Sequence, residues 1–194
     1  MKIGRVTSYE PELWLIRHGL TEWARDRRHT GRSDIPLLPE GEEGAAALGP
    51  RLAGVHFDLQ LASPLQRAWR TAELAGLTPK PESQALEWDY GDYEGITTAQ
   101  IQEKTPGWSI WTSPVPGGET VEQVAGRADA VIARVRREAP TRAVVVAHAH
   151  FLRVLAARWI GQEPHLAAHL ALHTSTLSVL GWDRGTAVID HWNG

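Results

Sequence analysis

Cysteine is absent from this chain, which excludes disulfides, thiolate metal sites and a cysteine nucleophile. No run approaches the roughly 20 apolar residues needed to cross a bilayer. Nothing near Met1 resembles a signal peptide, because Lys2, Arg5 and Glu10 interrupt any apolar core. The cytoplasm is the expected location. No basic block is present either: 20 basic and 23 acidic side chains leave a net charge of −3, so neither nucleic acid nor a membrane is an expected partner. A phosphate-binding site would have to be a local positive pocket. Without an internal repeat, low-complexity tract or linker, the 194 residues read as one domain spanning 1–194. Tryptophan, by contrast, is plentiful, and the nine present suit pocket walls and interfaces as well as cores.

Strand and helix patterns alternate along the chain, which predicts an α/β fold: a three-layer domain with a mostly parallel central sheet flanked by helices. Leu13–Ile16 reads as the first strand and Pro39–Leu52 as a helix with Pro39 at its first position. Phe57–Ala62 is a second strand, Pro64–Leu74 a second helix, and Gln84–Leu86 a short third strand. The Gly-, Pro- and Trp-rich stretch Trp88–Gly118 is expected to form a short inserted lid with a helix near Thr98–Lys104. Thr120 and Gln123 have capping-box spacing at the start of a helix to Glu138. Its stripe is Val121, Val124, Ala128, Val131, Ile132 and Val135. Ala143–Ala147 is apolar throughout, as a strand covered on both faces should be. A helix over Phe151–Ile160 follows, then strands at Leu177–Gly181 and Ala187–His191 joined by a turn at Asp183–Gly185.

Arg17-His18-Gly19 directly follows the first strand, where α/β sheets do chemistry. Arg67, Glu87 and His148 each end or follow a later predicted element, so all can converge on one crevice. A neutral imidazole is a good nucleophile toward phosphorus, and arginine forks match phosphate oxygens. Arg17 and Arg67 would offset the negative charge that repels the attack of His18. His148 offers a further donor to the phosphoryl group, and Glu87 a proton for the leaving oxygen. This scheme needs no metal and no cofactor. Packing alone explains the set poorly, because buried charges without partners are costly.

These residues resemble the histidine phosphatase, or phosphoglycerate-mutase-like, superfamily, over nearly the whole chain. Leu15–Trp23 is similar to the family signature, and Thr30-Gly31 with Asp34, Pro36 and Leu37 to the loop that follows it. Ser63–Ala68 with Thr71-Ala72 resembles the second-arginine motif. Glu87 with Gly91 and Glu94-Gly95 resembles the acid/base segment, Gly117–Thr120 the turn before the long helix, and Val146–Ala149 the second-histidine motif. The resemblance implies His18 as the phosphorylated nucleophile, Arg17, Arg67 and His148 as the phosphate pocket, and Glu87 as proton donor. Thr30, Gly31, Tyr90, Ala149 and His150 are implied as substrate contacts. The implied activity is metal-independent hydrolysis of small phosphate esters, with sugar phosphates or bisphosphates as candidates. Three departures accompany the match. Ala24 stands where phosphoglycerate mutases carry an asparagine, Ala149 replaces a glycine, and Leu38 replaces a Thr or Ser helix cap. The short Trp88–Gly118 stretch leaves no space for a long closing insert, which favours water as phosphoryl acceptor over the mutase alternative.

Two rival readings compete with phosphatase. A non-catalytic phospholigand-binding module of the same fold would keep the architecture without turnover. His165, His169 and His173, spaced i, i+4, i+8, would share one face of a continuous helix and could hold zinc or nickel, and His148 with His150 could chelate a metal. Trp108 and Trp111 suit a pocket wall, a homodimer contact or ordinary packing of the lid.

Overall fold

The computed structural model describes residues 10–194; Lys2 and Arg5, two of the charges that interrupt the N-terminal stretch, lie outside them. Strand β1 (Glu12–Arg17) is followed by the single helical turn α1 (Glu22–Arg25) and helix α2 (Pro39–Ala46). The helix expected over Pro39–Leu52 is broken, with α3 (Gly49–Leu52) as a separate turn, because Pro50 has no amide hydrogen and its ring clashes with the preceding turn. Leu38 is the N-cap of α2 and makes no side-chain cap bond. Leu38→Thr is therefore expected to raise stability by about 0.5–1 kcal/mol, read as a higher urea midpoint with an unchanged slope.

Strand β2 (Leu59–Ala62) and helix α4 (Gln66–Leu74) come next. The third strand is β3 (Lys80–Pro81), not Gln84–Leu86, where Ser83–Ala85 winds into a 3₁₀ turn. Glu82 explains the difference: its carboxylate caps that turn through the Gln84 amide at 2.9 Å and pairs with Arg134 at 2.6 Å. Helix α5 (Thr98–Lys104) and helix α6 (Val121–Glu138) both open with capping boxes, the second on Thr120 and Gln123 as the spacing predicts. Strand β4 (Arg142–Ala147), helix α7 (Ala149–Trp159) and the hairpin β5 (Leu177–Asp183) and β6 (Thr186–His191) complete the chain. Arg184 and Gly185 both have left-handed backbone at the hairpin tip, φ 51° and 80°, as a tight two-residue turn requires.

Among the described residues the six strands form one sheet in the order β3-β2-β4-β1-β5-β6. The four strands β3, β2, β4 and β1 pair in parallel, and β5 and β6 run antiparallel at one edge. Side-chain alternation divides the core. Leu13, Leu15, Ala143 and Val145 pack toward α6 and α7, while Ile16, Val144 and Val146 pack toward Leu48, Ala68 and Ala72 on the other face. Register then places the chemistry. Arg17 lies opposite Ala147, and Ala62 lies opposite Val146, so the residues just beyond β1, β2 and β4 emerge level at the carboxyl edge of the sheet.

The Trp88–Gly118 stretch is not a free flap. Trp88, Tyr90, Ile101 and Trp108 are buried in the same core as α6 and α7. Trp108 donates its indole N–H to the Pro114 carbonyl, and Trp111 meets Trp88 edge-on at 5.8 Å. Ordinary packing therefore accounts for Trp108. No helix among the described residues is long and apolar enough to cross a membrane.

Candidate active site

His18 is the first residue beyond β1 and is 5 % exposed. Its Nδ1 lies 2.7 Å from the carbonyl of Gly19, an acceptor only, so Nδ1 carries the proton and Nε2 keeps a free lone pair. Burial first, then the charges of Arg67 and Arg17, holds the imidazole well below the ordinary histidine pKa. The ring is neutral near pH 7. Gly19 is fixed in turn: its amide donates to Thr71 Oγ1 at 2.9 Å, and a Cβ on it would collide with the carbonyl of Gly41 in α2. Only glycine allows this approach.

Arg67, fully buried, holds the site from behind. Its Nη1 donates to the Ser33 carbonyl, its Nη2 to the carbonyls of Thr30 and Gly31, and its Nε to His148 Nδ1 at 3.1 Å. Because a guanidinium can only donate, His148 Nδ1 is the acceptor and Nε2 carries the proton, which goes to Ser63 Oγ at 2.8 Å. The His18 and His148 rings lie 5.1 Å apart. Both nitrogens of His148 thus have protein partners, and reaching a phosphoryl oxygen requires exchanging one of them. Arg17 differs. Its Nη1 donates to the Leu172 carbonyl at 2.5 Å, while its Nε is buried without a partner among the described residues. A buried unpaired donor is costly unless a ligand takes it.

Glu87 does not follow a strand, as the sequence suggested, but the loop after the 3₁₀ turn. It nevertheless reaches the same crevice, because its carboxylate caps α7: Oε1 accepts from the amides of Trp88 and Phe151 at 2.9 Å, and Oε2 from that of His150 at 3.1 Å. Arg127 anchors this segment, pairing with Glu119 at 2.8 Å and donating to the Leu86 carbonyl. Tyr90, buried, faces His150 Nδ1 at 2.5 Å. Burial holds the phenol well above its ordinary pKa and the imidazole well below, so the hydroxyl donates and His150 keeps its proton on Nε2.

The crevice is about 330 Å³, the size of a small-molecule site. Arg17, His18, Thr30, Glu87, Tyr90, Ala149 and His150 line it, as expected, and so does Ala24. Arg67 and His148 stand behind that wall. Gly31 is not on that wall: its amide goes to Glu94 and its carbonyl to Arg67. Sequence reasoning missed His29, Thr98, Arg27, Arg28, Arg153 and Leu172 on the wall. Of these only His29, adjoining Thr30-Gly31, carried a signal. The metal readings lose their geometry, because Pro164–His169 is a 3₁₀ helix that ends before His173. His148 and His150 also turn to different partners, Ser63 with Arg67 and Tyr90 respectively.

Four histidines here, His18, His29, His148 and His150, are pushed below the ordinary value, chiefly by burial, His29 to about 4. In the unfolded chain each titrates near 6.5. Between the two values the unfolded state binds more protons, so stability is fully present above about pH 6.5 and falls as the pH drops, by up to about 1.4 kcal/mol per pH unit for each histidine. Urea midpoints should decline from pH 7.5 to 5. His29→Gln should flatten that decline, and identical slopes in wild type and variant would refute the assignment.

Residues 13–194 match the model of the histidine phosphatase superfamily, branch 1. The chain is 38 % identical over 177 residues to an acid phosphatase of Mycobacterium tuberculosis, covering 89 % of this chain and 87 % of that one. It is 33 % identical over 188 residues to a sedoheptulose 1,7-bisphosphatase of Saccharomyces cerevisiae, covering 79 % and 69 % respectively. A solved structure of a Mycobacterium tuberculosis open reading frame superposes with a TM-score of 0.89 at 34 % identity, over 94 % of this chain and 97 % of that one.

Proposed function

The chain belongs to the histidine phosphatase superfamily, branch 1, and from that premise we propose that residues 1–194 form one phosphatase domain in which His18 carries the phosphoryl group of small phosphorylated metabolites to water. One observation carries this reading: a neutral His18 whose Nδ1–H is fixed on Gly19 and whose Nε2 lone pair is free beside Arg17 and Arg67. The Nε2 lone pair attacks phosphorus while the ester P–O bond breaks, and the departing alkoxide takes a proton from Glu87. Water then gives a proton to Glu87 and attacks phosphorus, the P–N bond breaks, and inorganic phosphate leaves neutral His18 behind. The buried unpaired Nε of Arg17 supplies a donor to the equatorial oxygens, and Arg67 a second positive charge. Thr30, Tyr90, Ala149 and His150 form the wall against the rest of the ester.

Water is the better acceptor here than a second phosphorylated hydroxyl. Ala24 lines the crevice with a methyl, and the Trp88–Gly118 stretch is committed to the core rather than free to close over a bisphosphorylated intermediate. The chemistry requires neither metal nor nucleic acid, and a cytoplasmic setting is part of this reading. With 3-phosphoglycerate and a trace of 2,3-bisphosphoglycerate, negligible 2-phosphoglycerate is expected, whereas para-nitrophenyl phosphate and sugar phosphates should release stoichiometric phosphate. Turnover should survive dialysis against a chelator. Isomerisation many times faster than phosphate release would make the mutase the correct reading, and binding without any turnover would favour the non-catalytic module.

A further inference from the structure

Ser63 is a buried hydroxyl that takes no part in the transfer of phosphate from ester to His18 to water. It is the first residue beyond β2, and its amide donates to the Val146 carbonyl of β4 at 3.0 Å, which sets it beside His148 at the same sheet edge. Its Oγ receives the Nε2–H of His148 at 2.8 Å and, at a long 3.4 Å, the amide of Leu65. Ser63 thus holds the only proton a neutral His148 can donate. Both residues are fully buried, so bulk water is not at hand to replace this bond when it breaks.

The partners of His148 decide which of its two bonds yields to a phosphoryl oxygen. Nδ1 accepts from Arg67, whose guanidinium is pinned by the carbonyls of Ser33, Thr30 and Gly31. A phosphoryl oxygen is itself an acceptor and has no use for Nδ1. It needs the Nε2–H, and a charged oxygen binds that proton more strongly than a neutral hydroxyl does. The His148 ring lies 5.1 Å from that of His18, next to where the phosphoryl group is carried. The bond to Ser63 is therefore the one to be exchanged.

We propose that Ser63 is a positioning residue that parks the Nε2–H of His148 in the empty site and yields it when a phosphoryl group arrives, so that Ser63 competes with substrate for His148 and limits how tightly phosphate is held. This rests on the phosphatase reading, which makes a phosphoryl group the ligand of the site. Between turnovers the parked bond fixes the ring and satisfies a donor that would be costly to leave unpaired. The exchange runs backwards when inorganic phosphate departs. Ser63 then takes the N–H back, and release is not opposed by an orphaned donor.

The test titrates orthovanadate, a mimic of the transferring phosphoryl group, into wild type, Ser63→Ala and Ser63→Cys by calorimetry, with ligand-free melting temperatures and para-nitrophenyl phosphate turnover measured alongside. Free of ligand, Ser63→Ala is expected to melt about 2–10 °C lower, because a buried donor loses its acceptor. It should nevertheless bind vanadate about fivefold tighter than wild type, the worth of one net hydrogen bond that no longer has to be broken. A packing defect would lower melting and weaken binding together, so the opposite signs single out the exchange. Ser63→Cys, close in size but a weak acceptor, should shift both readouts in the same directions by less, and it carries the test should the alanine variant not fold. In His148→Asn, which keeps an oxygen for Arg67 and lacks the far ring nitrogen, Ser63→Ala should change vanadate affinity by less than about twofold. Turnover of the ester by wild type, with both Ser63 variants binding vanadate no tighter or with the gain surviving in His148→Asn, overturns the role of Ser63. A wild type that neither hydrolyses the ester nor binds vanadate strikes the phosphatase reading, and this role with it.

Discussion

His18→Ala is expected to lower phosphate release on the order of 10⁴-fold or more, the scale on which loss of a covalent nucleophile is felt. The fold should survive, because the hydrogen bond of the ring is to the adjacent Gly19 carbonyl and the amide of Gly19 keeps its bond to Thr71. A phosphoramidate is labile in acid and stable in base. Rapid quenching of wild-type turnover into alkali should therefore trap labelled phosphate on the peptide containing His18, and acid should release it. Label on a serine, or full activity in the variant, would remove His18 from the reaction. The tautomer sharpens the expectation: with Nδ1 bound to a carbonyl, the trapped species should be the Nε2 phosphoramidate, which nuclear magnetic resonance distinguishes from the Nδ1 isomer.

The arginine that ends β1, the histidine after it and the histidine after β4 were legible because a parallel sheet brings strand ends to one edge, and strand patterns such as Ala143–Ala147 are nearly uninterrupted. The long helix was equally plain, since Thr120, Gln123 and the apolar stripe agree. Lys80–Pro81 was not, because a two-residue edge strand has no periodicity to read, and the apolar Ala85 and Leu86 mimicked one nearby. Glu87 was identified although its predicted strand does not exist: what places it is the N-terminus of α7, whose amides it accepts, a tertiary relation invisible to local pattern. The same limit hid Arg27, Arg28 and Arg153, which lie past a helical turn and within a helix rather than at a strand end. The second hydrogen bond of His148, to Ser63, also depends on register between β2 and β4.

Glu87→Gln is expected to show a leaving-group dependence that no purely structural role would produce. As general acid, Glu87 must protonate the departing alkoxide, so sugar phosphates should slow on the order of 10²–10⁴-fold. Para-nitrophenolate leaves with little help, and its ester should slow far less. The capping role of Glu87 sets the background for this comparison. In the variant the remaining side-chain oxygen can keep the amides of Trp88 and Phe151, but the introduced amide nitrogen would face the His150 N–H now received by Oε2. Two donors in opposition cost about 1–3 kcal/mol, a loss of stability that bears on both substrates alike and is read directly from the melting temperature. Dividing the two rate losses cancels it. A ratio well above one assigns the proton to Glu87, whereas equal losses for the two esters would leave Glu87 as the cap of α7 and require another donor on the crevice wall.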